Sequence, residues 1–336
     1  MAALGALVAI VIELSEEREF ARMVERAAPT WMLIAIALQV LTYVAQGAIW
    51  QLVARRSGTG LSFASAFGLS LTKLFVDQSL PTGGLSGAAV VVGAFERRGL
   101  GRPVAIATMI VTTIGYYVAY AVALGAALVI ATARGHTSAV VVVPAALFGA
   151  FAVGVIILLV VFGGRNSVPP VAPARIPFLR KGLDVLRGAD RRVVRERGNL
   201  LAATLLQLAI ILLDAATVWT LIRALGADAS PVGAYVSFLV SSLFRTISIT
   251  PAGLGAFEAV SVVTLESTGI PLAVALSATM LFRGLSFWLP MLPGLVIARA
   301  IRRGRKQSGP QPPFHDLDDR EVRADDHDQE HEVPAR

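Results

Sequence analysis

Ionisable side chains within long apolar stretches are the residues of this sequence that could do chemistry. Lys73 and Asp77 lie in the first half of the chain, and Arg245, Glu258 and Arg283 lie in the second. Charged side chains are costly at membrane depth and usually mark a functional site there. Because arginine can bind a phosphate through two parallel hydrogen bonds, these residues suggest an anionic ligand.

Each of these charges also has a structural interpretation. Lys73 and Asp77 are spaced i, i+4 on one helical face, so they can form an ion pair that closes the bundle. The functional alternative for this pair is a charged wall for a lipid headgroup. Glu258 can pair with Arg245 or with Arg283 and fix the fold locally. The structural and functional interpretations are compatible, and the sequence leaves both open.

Two breaks rich in Pro and Gly interrupt the apolar stretches beside these charges. Glycine lets backbone approach a ligand closely, and the helices that begin after the breaks direct N–H groups and positive dipole ends at an anion. The predicted substrate-binding residues are therefore the charges and the break residues: Lys73, Asp77, Pro81, Gly83, Gly84, Arg245, Pro251, Gly253, Gly255, Glu258 and Arg283.

The two breaks belong to a repeat. An offset of 170 positions relates Pro81 to Pro251, Gly83 to Gly253, Glu96 to Glu266, Gly99 to Gly269, and Val104-Ala105 to Val274-Ala275. Broken helices at corresponding positions of two halves are typical of the substrate site of a membrane transporter.

Composition indicates a polytopic membrane protein. Of the 336 residues, 55% are hydrophobic and 16% are charged, whereas soluble domains carry roughly 25% charged residues. Long apolar stretches predict spans at 30–53, 103–132, 138–162, 199–225 and 271–300. Residues 1–14 are a weaker sixth candidate, and an amphipathic interfacial helix is predicted over 15–27.

Arginine and lysine give the orientation, because basic loops such as 163–198 are cytoplasmic. All the basic loops fall on the cytoplasmic side only if segments 62–95 and 231–267 are hairpins. Each hairpin would return to the side of the membrane from which it entered. Leu85–Glu96 has 12 residues, or about 18 Å of helix, which is shorter than the hydrocarbon core of about 30 Å. Three spans separate the hairpins, which inverts the second copy. The predicted fold is therefore all-α, with an inverted repeat and two re-entrant broken-helix hairpins.

The rest of the chain offers little for catalysis. The sequence has no cysteine and four histidines, and it shows neither a nucleotide-binding Gly loop nor a Ser/His/Asp constellation. We expect no catalytic residue, no metal site and no cofactor, and hence no enzyme. Residues 1–306 form the predicted transmembrane domain. Residues 307–336 are predicted to be a disordered cytoplasmic tail, in which His327 and His331 are solvated rather than metal-binding.

The predicted spans also contain a group of three tyrosines and one aspartate. Tyr116, Tyr117 and Tyr120 are expected to pack between helices rather than to stack on a ligand, and Gly115 beside them suits close helix contact. Asp214 lies nearer the middle of its span, and the sequence identifies no partner for it.

The stretch from Arg245 to Glu258 resembles the signature of the lysylphosphatidylglycerol synthase transmembrane region, a family also described as flippase-like. The signature is a Pro, a Gly-Gly or Gly-x-Gly turn and then Glu. This chain reads Ala-Gly-Leu-Gly at the turn where the family has Gly-Gly-Leu-Gly. Pro81–Gly84, Gly269–Pro271 and Arg283–Trp288 are also similar, so that the resemblance extends over most of residues 1–300.

In family members fused to an aminoacyltransferase, this region moves aminoacylated phosphatidylglycerol between leaflets. The resemblance therefore implies a similar fold here, with Arg245, Glu258 and Arg283 as cavity residues. No synthase domain follows residue 306, so lipid aminoacylation is not implied.

Three functions remain open at this point. The first is a flippase for an anionic, aminoacylated or polyprenyl-phosphate-type lipid, passive or coupled to an ion gradient because no ATP-binding motif is present. The second is a non-transporting lipid-binding partner of a separately encoded lipid- or glycan-modifying enzyme. The third is a membrane-embedded transferase using Glu258, Asp77 or Asp214. We expect a multi-pass protein of the plasma membrane with cytoplasmic termini, lipid partners, no nucleic acid, and a homodimer as one compatible assembly.

Overall fold

The computed structural model describes residues 24–58, 60–79, 85–133, 139–162, 185–248 and 253–297. The chain divides into two compact units, residues 1–295 and residues 296–336. Most of the second unit lies outside the described residues, as do the predicted segments 1–14 and 307–336 and the break residues Pro81, Gly83, Gly84 and Pro251. The fold described below is that of the first unit.

Secondary structure in the described residues is helical. The helices are α1 (Pro29–Arg56), α2 (Phe63–Ser79), α3 (Leu85–Glu96), α4 (Arg102–Ala133), α5 (Ala139–Phe162), α6 (Arg191–Arg195), α7 (Arg197–Ala224), α8 (Pro231–Ile247), α9 (Ala256–Glu266) and α10 (Leu272–Arg283). Helix α10 continues through a π-helical turn at Gly284–Trp288 and ends at Ile297.

Among the described residues, four helices are long and apolar enough to cross a membrane, by length and composition. They are α1, α4 over Arg102–Ile130, α7, and α10 to its end at Ile297. Helix α5, with 24 residues, covers the predicted span at 138–162. These helices confirm the all-α polytopic fold, and their bounds agree closely with the predicted spans.

The core of the bundle forms where α1 and α4 pack along α7. Gly115 of α4 lies directly against α7, since a Cβ atom at this position would be 2.9 Å from the Cβ of Ala203. A small residue at a helix crossing lets two backbones approach closely in a membrane. The expected packing role of Gly115 is therefore confirmed.

Two pairs of shorter helices complete the bundle. Helices α2 and α8 have 17 residues each, and α3 and α9 have 12 and 11. At 1.5 Å per residue, α3 and α9 are roughly 16 to 18 Å long, which is less than the hydrocarbon core of a bilayer. Lengths of this kind suit re-entrant hairpins, and the hairpin arrangement itself stays a prediction.

The sequence repeat extends to the turn that follows each short pair. The N–H of Gly99 donates to the Glu96 carbonyl over 3.0 Å, and the N–H of Gly269 donates to the Glu266 carbonyl over 2.9 Å. Both glycines have positive φ, 85° and 90°, a conformation that glycine adopts readily at helix ends. The next helices begin 170 positions apart, at Arg102 and Leu272. The local backbone is thus repeated, while the inversion of the second copy stays a prediction.

Candidate functional site

Arg283 forms a buried ion pair with Glu258. Its Nε lies 2.6 Å from Oε1 of Glu258, and the two side chains are 4% and 15% exposed. The Arg283 guanidinium also lies over two aromatic rings, 5.4 Å from the centroid of Phe257 and 4.6 Å from that of Phe287. Of the two partners that the sequence allowed for Glu258, the structure selects Arg283. The structural interpretation of Glu258, an ion pair that fixes the fold locally, is therefore confirmed.

Glu258 also closes the first turn of α9. Its Oε2 accepts the backbone N–H of Gly255 at 2.7 Å, which is the contact of a capping box. The same carboxylate therefore fixes the start of α9 and attaches it to α10 through Arg283.

Arg245 lies in the last turn of α8, immediately before the second break. It is half-buried, lies within electrostatic range of Tyr116 of α4, and places its guanidinium 5.8 Å from the Phe257 ring. The two predicted arginines thus meet the same ring but differ in environment. Arg283 is enclosed by its partners, whereas Arg245 keeps accessible surface.

Gly253 packs directly on Arg245. A Cβ atom at Gly253 would lie 2.5 Å from Cγ of Arg245 and 2.7 Å from its Cα, and the φ of Gly253 is +66°. The sequence predicted that glycine in this break lets backbone approach a ligand. In the structure, the close approach is to Arg245, so Gly253 helps to position that side chain.

Asp214 of α7 belongs to the same cluster, although it was not among the predicted site residues. Its Oδ1 accepts hydrogen bonds from Nε2 of Gln39 and Oγ1 of Thr42, both at 3.3 Å. Asp214 is half-buried and lies within electrostatic range of Arg245. The two charges, both in the part of the chain that the structure describes, do not form a direct ion pair.

Lys73 and Asp77 form the ion pair that their spacing predicted. Asp77 also accepts the backbone N–H of Gly87 at 3.1 Å, and so attaches α2 to α3. Among the described contacts, none joins this pair to Arg245 or Arg283. The structure therefore shows a tie between helices here, and a role in headgroup binding stays a prediction.

The tyrosines of α4 pack between helices as expected, and one of them, Tyr116, also lies near Arg245. The rings of Tyr116 and Tyr120 lie 4.6 Å apart, and Tyr117 contacts Phe148 and Phe151 of α5. Sequence reasoning missed the proximity of Tyr116 to Arg245. It involves α4 and α8, so no local spacing in the sequence could indicate it.

Comparison with known proteins shows the family of the chain. The profile of the family described as "Lysylphosphatidylglycerol synthase TM region" matches residues 1–294, which include Asp214, Arg245, Glu258 and Arg283. The chain belongs to this family. The resemblance that the second break carries is thereby confirmed, and the chain is an integral membrane protein.

Two archaeal relatives are described as UPF0104 membrane proteins. The protein of Methanocaldococcus jannaschii is 23% identical over 302 residues, which cover 82% of this chain and 86% of the relative. The protein of Methanothermobacter thermautotrophicus is 26% identical over 111 residues, 33% of each chain. The likeness to the first of these relatives therefore extends over most of both proteins.

Proposed function

We propose that this chain is a flippase that moves a phosphate-bearing lipid between the leaflets of the plasma membrane without catalysing a reaction. The observation that carries the proposal is Arg245, a half-buried arginine beside a helix break in a bundle of membrane helices. Ionisable groups at such positions are rare and mark substrate pathways. Its planar fork suits the oxygens of a phosphate.

The surrounding contacts support a binding role for Arg245 in particular. Arg283 is neutralised by Glu258 and enclosed between rings, so it holds α9 against α10. Arg245 packs against the backbone of Gly253 and lies near Tyr116, yet remains partly accessible. A positioned cation with accessible surface is what headgroup binding needs, since less side-chain freedom is lost on binding.

The family supports a lipid-related role, because its description names the membrane region of an enzyme that synthesises lysylphosphatidylglycerol. The proposed cargo is an anionic, aminoacylated or polyprenyl-phosphate-type lipid. In this proposal α2–α3 and α8–α9 are re-entrant hairpins that enter from opposite sides, and both termini are cytoplasmic. The short lengths of α3 and α9 support that topology.

A second candidate is a lipid-binding partner of a separately encoded enzyme. The observation that favours it is α6, where Arg191, Arg192 and Arg195 are exposed while Val193 and Val194 are buried against the bundle. A short helix anchored in this way presents fixed positive charges to an acidic partner or a membrane surface.

Transport by reconstituted protein separates the two candidates. Phosphatidylcholine liposomes containing the purified chain and a fluorescent lipid with a phosphate headgroup would be treated with an impermeant quencher. A flippase raises the fraction of quenched lipid above that in protein-free liposomes. We expect Arg245→Gln to slow the movement of lipid between leaflets about tenfold or more, because the variant loses a charged hydrogen bond to the phosphate.

The matched control is Arg223→Gln. Arg223 also lies in a long apolar helix, but it pairs with Asp228 and lies over Trp31 near the end of α7. Its loss should leave exchange unchanged. Absence of exchange for a panel of phosphate-bearing lipids, together with co-purification of an enzyme, would favour the second candidate.

A further inference from the structure

Two polar layers join α1 to α7, and one of them carries a charge. In the first layer, Nε2 of Gln207 donates to Oε1 of Gln46 at 3.4 Å. In the second, seven residues further along α7, Asp214 accepts hydrogen bonds from Gln39 and Thr42, both at 3.3 Å. Two neutral amides are thus enough to bond these helices at one layer. Packing alone therefore does not account for a carboxylate at the other.

The carboxylate of Asp214 is bonded by neutral groups. Its Oδ1 accepts an amide N–H and a hydroxyl. Within the described part of the chain, Asp214 forms neither an ion pair nor a hydrogen bond through Oδ2. A charge inside a membrane helix bundle is costly unless it is paired, and such acids often belong to proton pathways. Uptake of a proton would remove this charge without a counter-ion.

The hydroxyl of Thr42 can serve Asp214 in either protonation state. Its Oγ1 lies 3.3 Å from Oδ1 of Asp214 and 3.2 Å from the carbonyl oxygen of Leu38. A hydroxyl has one hydrogen and two acceptor lone pairs. It can therefore donate to the ionised carboxylate, or donate to Leu38 and accept from the protonated acid. A metal ion, by contrast, needs oxygen lone pairs around it, whereas Gln39 presents an N–H here.

Gln39 connects Asp214 to α10. Its Nε2 is shared between Oδ1 of Asp214 and the hydroxyl of Tyr43, which lies 3.4 Å away and donates to the carbonyl of Leu285 at 2.8 Å. Leu285 lies in the π-helical turn of α10, and turns of this kind are frequent at functional sites. A neutral carboxyl accepts a hydrogen bond about half as strongly as an ionised one. Protonation of Asp214 would therefore loosen the bond between α7 and the α1 side chain that leads to α10.

The amide of Gln39 is also incompletely satisfied when Asp214 is ionised. Gln39 is 4% exposed, and its Oε1 has no hydrogen-bond partner among the described residues. A buried acceptor without a donor costs free energy. A protonated carboxyl can supply that donor if the amide turns its oxygen toward Asp214. The layer thus contains hydrogen-bond partners for both states of the acid.

Other titratable or charged groups act on Asp214 from the helices around it. They are Tyr43 of α1, Tyr120 of α4 and Arg245 of α8. On α10, Arg283 is paired with Glu258. Phenols stay protonated and guanidinium groups stay charged over the pH range in which carboxylates titrate. Asp214 is therefore the acid of this set that can exchange a proton without breaking an ion pair.

We propose that Asp214 is a proton-binding site that couples lipid movement to the proton gradient across the membrane. A proton from water on one side bonds to the carboxylate, and its release to water on the other side restores the charge. The proton is carried without transfer of electrons. This inference rests on the proposed function and names the source of energy for the same bundle.

A carbodiimide tests the site without requiring transport. Dicyclohexylcarbodiimide modifies carboxyl groups that carry a proton in apolar surroundings. The purified chain in neutral detergent is treated over a series of pH values, and modified peptides are quantified by mass spectrometry. We expect the rate at Asp214 to rise about tenfold for each unit by which the pH falls, until the group is fully protonated. Asp228, whose side chain is 95% exposed, is the control and should be modified rarely.

The same reaction distinguishes a proton from a metal ion. The rate at Asp214 should be equal in sodium chloride and in choline chloride of the same concentration. Protection of Asp214 by sodium would identify a metal site and overturn the assignment of a proton. Absence of modification at every pH would overturn it as well.

Coupling is measured in liposomes with an imposed pH gradient. For about one proton per lipid, a gradient of about one pH unit should shift the distribution of a fluorescent phosphate-bearing lipid between leaflets by up to about tenfold. Asp214→Asn, which preserves size, should lose this shift, and Asp214→Glu should keep it. Gln207→Leu removes the neutral layer and controls for loosened packing, so it should also keep the shift.

The outcomes separate this inference from the flippase proposal. Lipid exchange by the wild-type chain that ignores the gradient would refute coupling and leave the flippase proposal intact. A shift that persists in Asp214→Asn would refute the role of Asp214. Absence of exchange at every pH would refute the flippase proposal, while the carbodiimide reaction would still decide whether Asp214 binds a proton.

Discussion

The short helix pairs α2–α3 and α8–α9 share a backbone pattern but are held together by different chemistry. In α2–α3, one carboxylate connects the helices, as Asp77 pairs with Lys73 and accepts the N–H of Gly87. In α8–α9, the contacts are distributed. Hydroxyls of Ser237 and Thr264 meet at 2.6 Å, and those of Ser261 and Thr279 meet at 2.9 Å and extend the series to α10.

Apart from Glu96 and Glu266 at the helix ends, the charges of the two helix pairs do not follow the offset of 170 positions that relates the helices. Asp77 corresponds to Ile247, and Glu258 corresponds to Ala88. Helix ends and turns are thus repeated, whereas the charges that form the ion pairs of Asp77 and Glu258 are particular to each half. The α8–α9 pair adjoins Asp214 and the membrane helices around it, so we expect ligand contact to be concentrated there and α2–α3 to be mainly structural.

The largest effect should come from Glu258→Gln. Removal of one member of a buried ion pair leaves the other charge uncompensated, and the free energy of unfolding should fall by about 3–5 kcal/mol. SDS titration in mixed micelles measures it. Glu266→Gln, at the exposed end of the same helix, is the control and should have little effect. Equal losses for the two variants would contradict a special role for the Arg283 pair.

The next largest effect should come from Gly253→Ala. Its positive φ disfavours a side chain, and its Cβ would collide with Arg245, so we expect a loss of roughly 2–4 kcal/mol. Gly58→Ala separates the two causes, since Gly58 has φ +83° and nothing within 4 Å. It should cost about 1–2 kcal/mol. A loss at Gly253 no larger than that at Gly58 would mean that Arg245 moves aside freely.

A smaller effect is expected for Asp77→Asn. The side chains of Lys73 and Asp77 are 30% and 20% exposed, so solvent screens their attraction, and the loss should be about 1–2 kcal/mol. The same titration measures it. A loss of stability as large as that of Glu258→Gln would show that the two helix pairs depend equally on a single carboxylate. The contrast between one connecting carboxylate in α2–α3 and distributed contacts in α8–α9 would then be wrong.

The smallest effect should come from Thr264→Val, which removes one hydroxyl from the distributed contacts of α8–α9. Hydrogen bonds between membrane helices contribute about 0.6 kcal/mol on average. Thr113→Val is the control, because this exposed threonine donates to a carbonyl of its own helix, Met109. A loss above about 2 kcal/mol in the free energy of unfolding of Thr264→Val would show that the α8–α9 pair depends mainly on one hydroxyl rather than on many contacts.

The sequence predicts those features that depend on local composition. Apolar length reports directly on the capacity to cross a bilayer, so α1, α4, α7 and α10 were found from hydropathy. The ion pair of Lys73 and Asp77 is likewise local, since four residues make one helical turn.

Long-range partners could not be found in this way. Gln39 and Asp214 are separated by 175 residues, and they meet only because α1 packs along α7. The choice of Arg283 as partner of Glu258 also depends on packing, since Gly253 packs on Arg245 and positions it elsewhere. The signal that could have placed Asp214 in the site was its position near the middle of a span, which the sequence did show.

The π-helical turn at Gly284–Trp288 has a consequence for the remainder of α10. A wide turn of this kind accommodates one more residue than an ordinary turn, so it sets the angular register of everything after it. Shortening this turn by one amino acid would rotate the following stretch by roughly 100°. Gly294, where a Cβ atom would come 2.8 Å from Phe75 of α2, would then face away from that neighbour. Deletion of a single codon would therefore detach the end of α10 from α2 while leaving α10 helical.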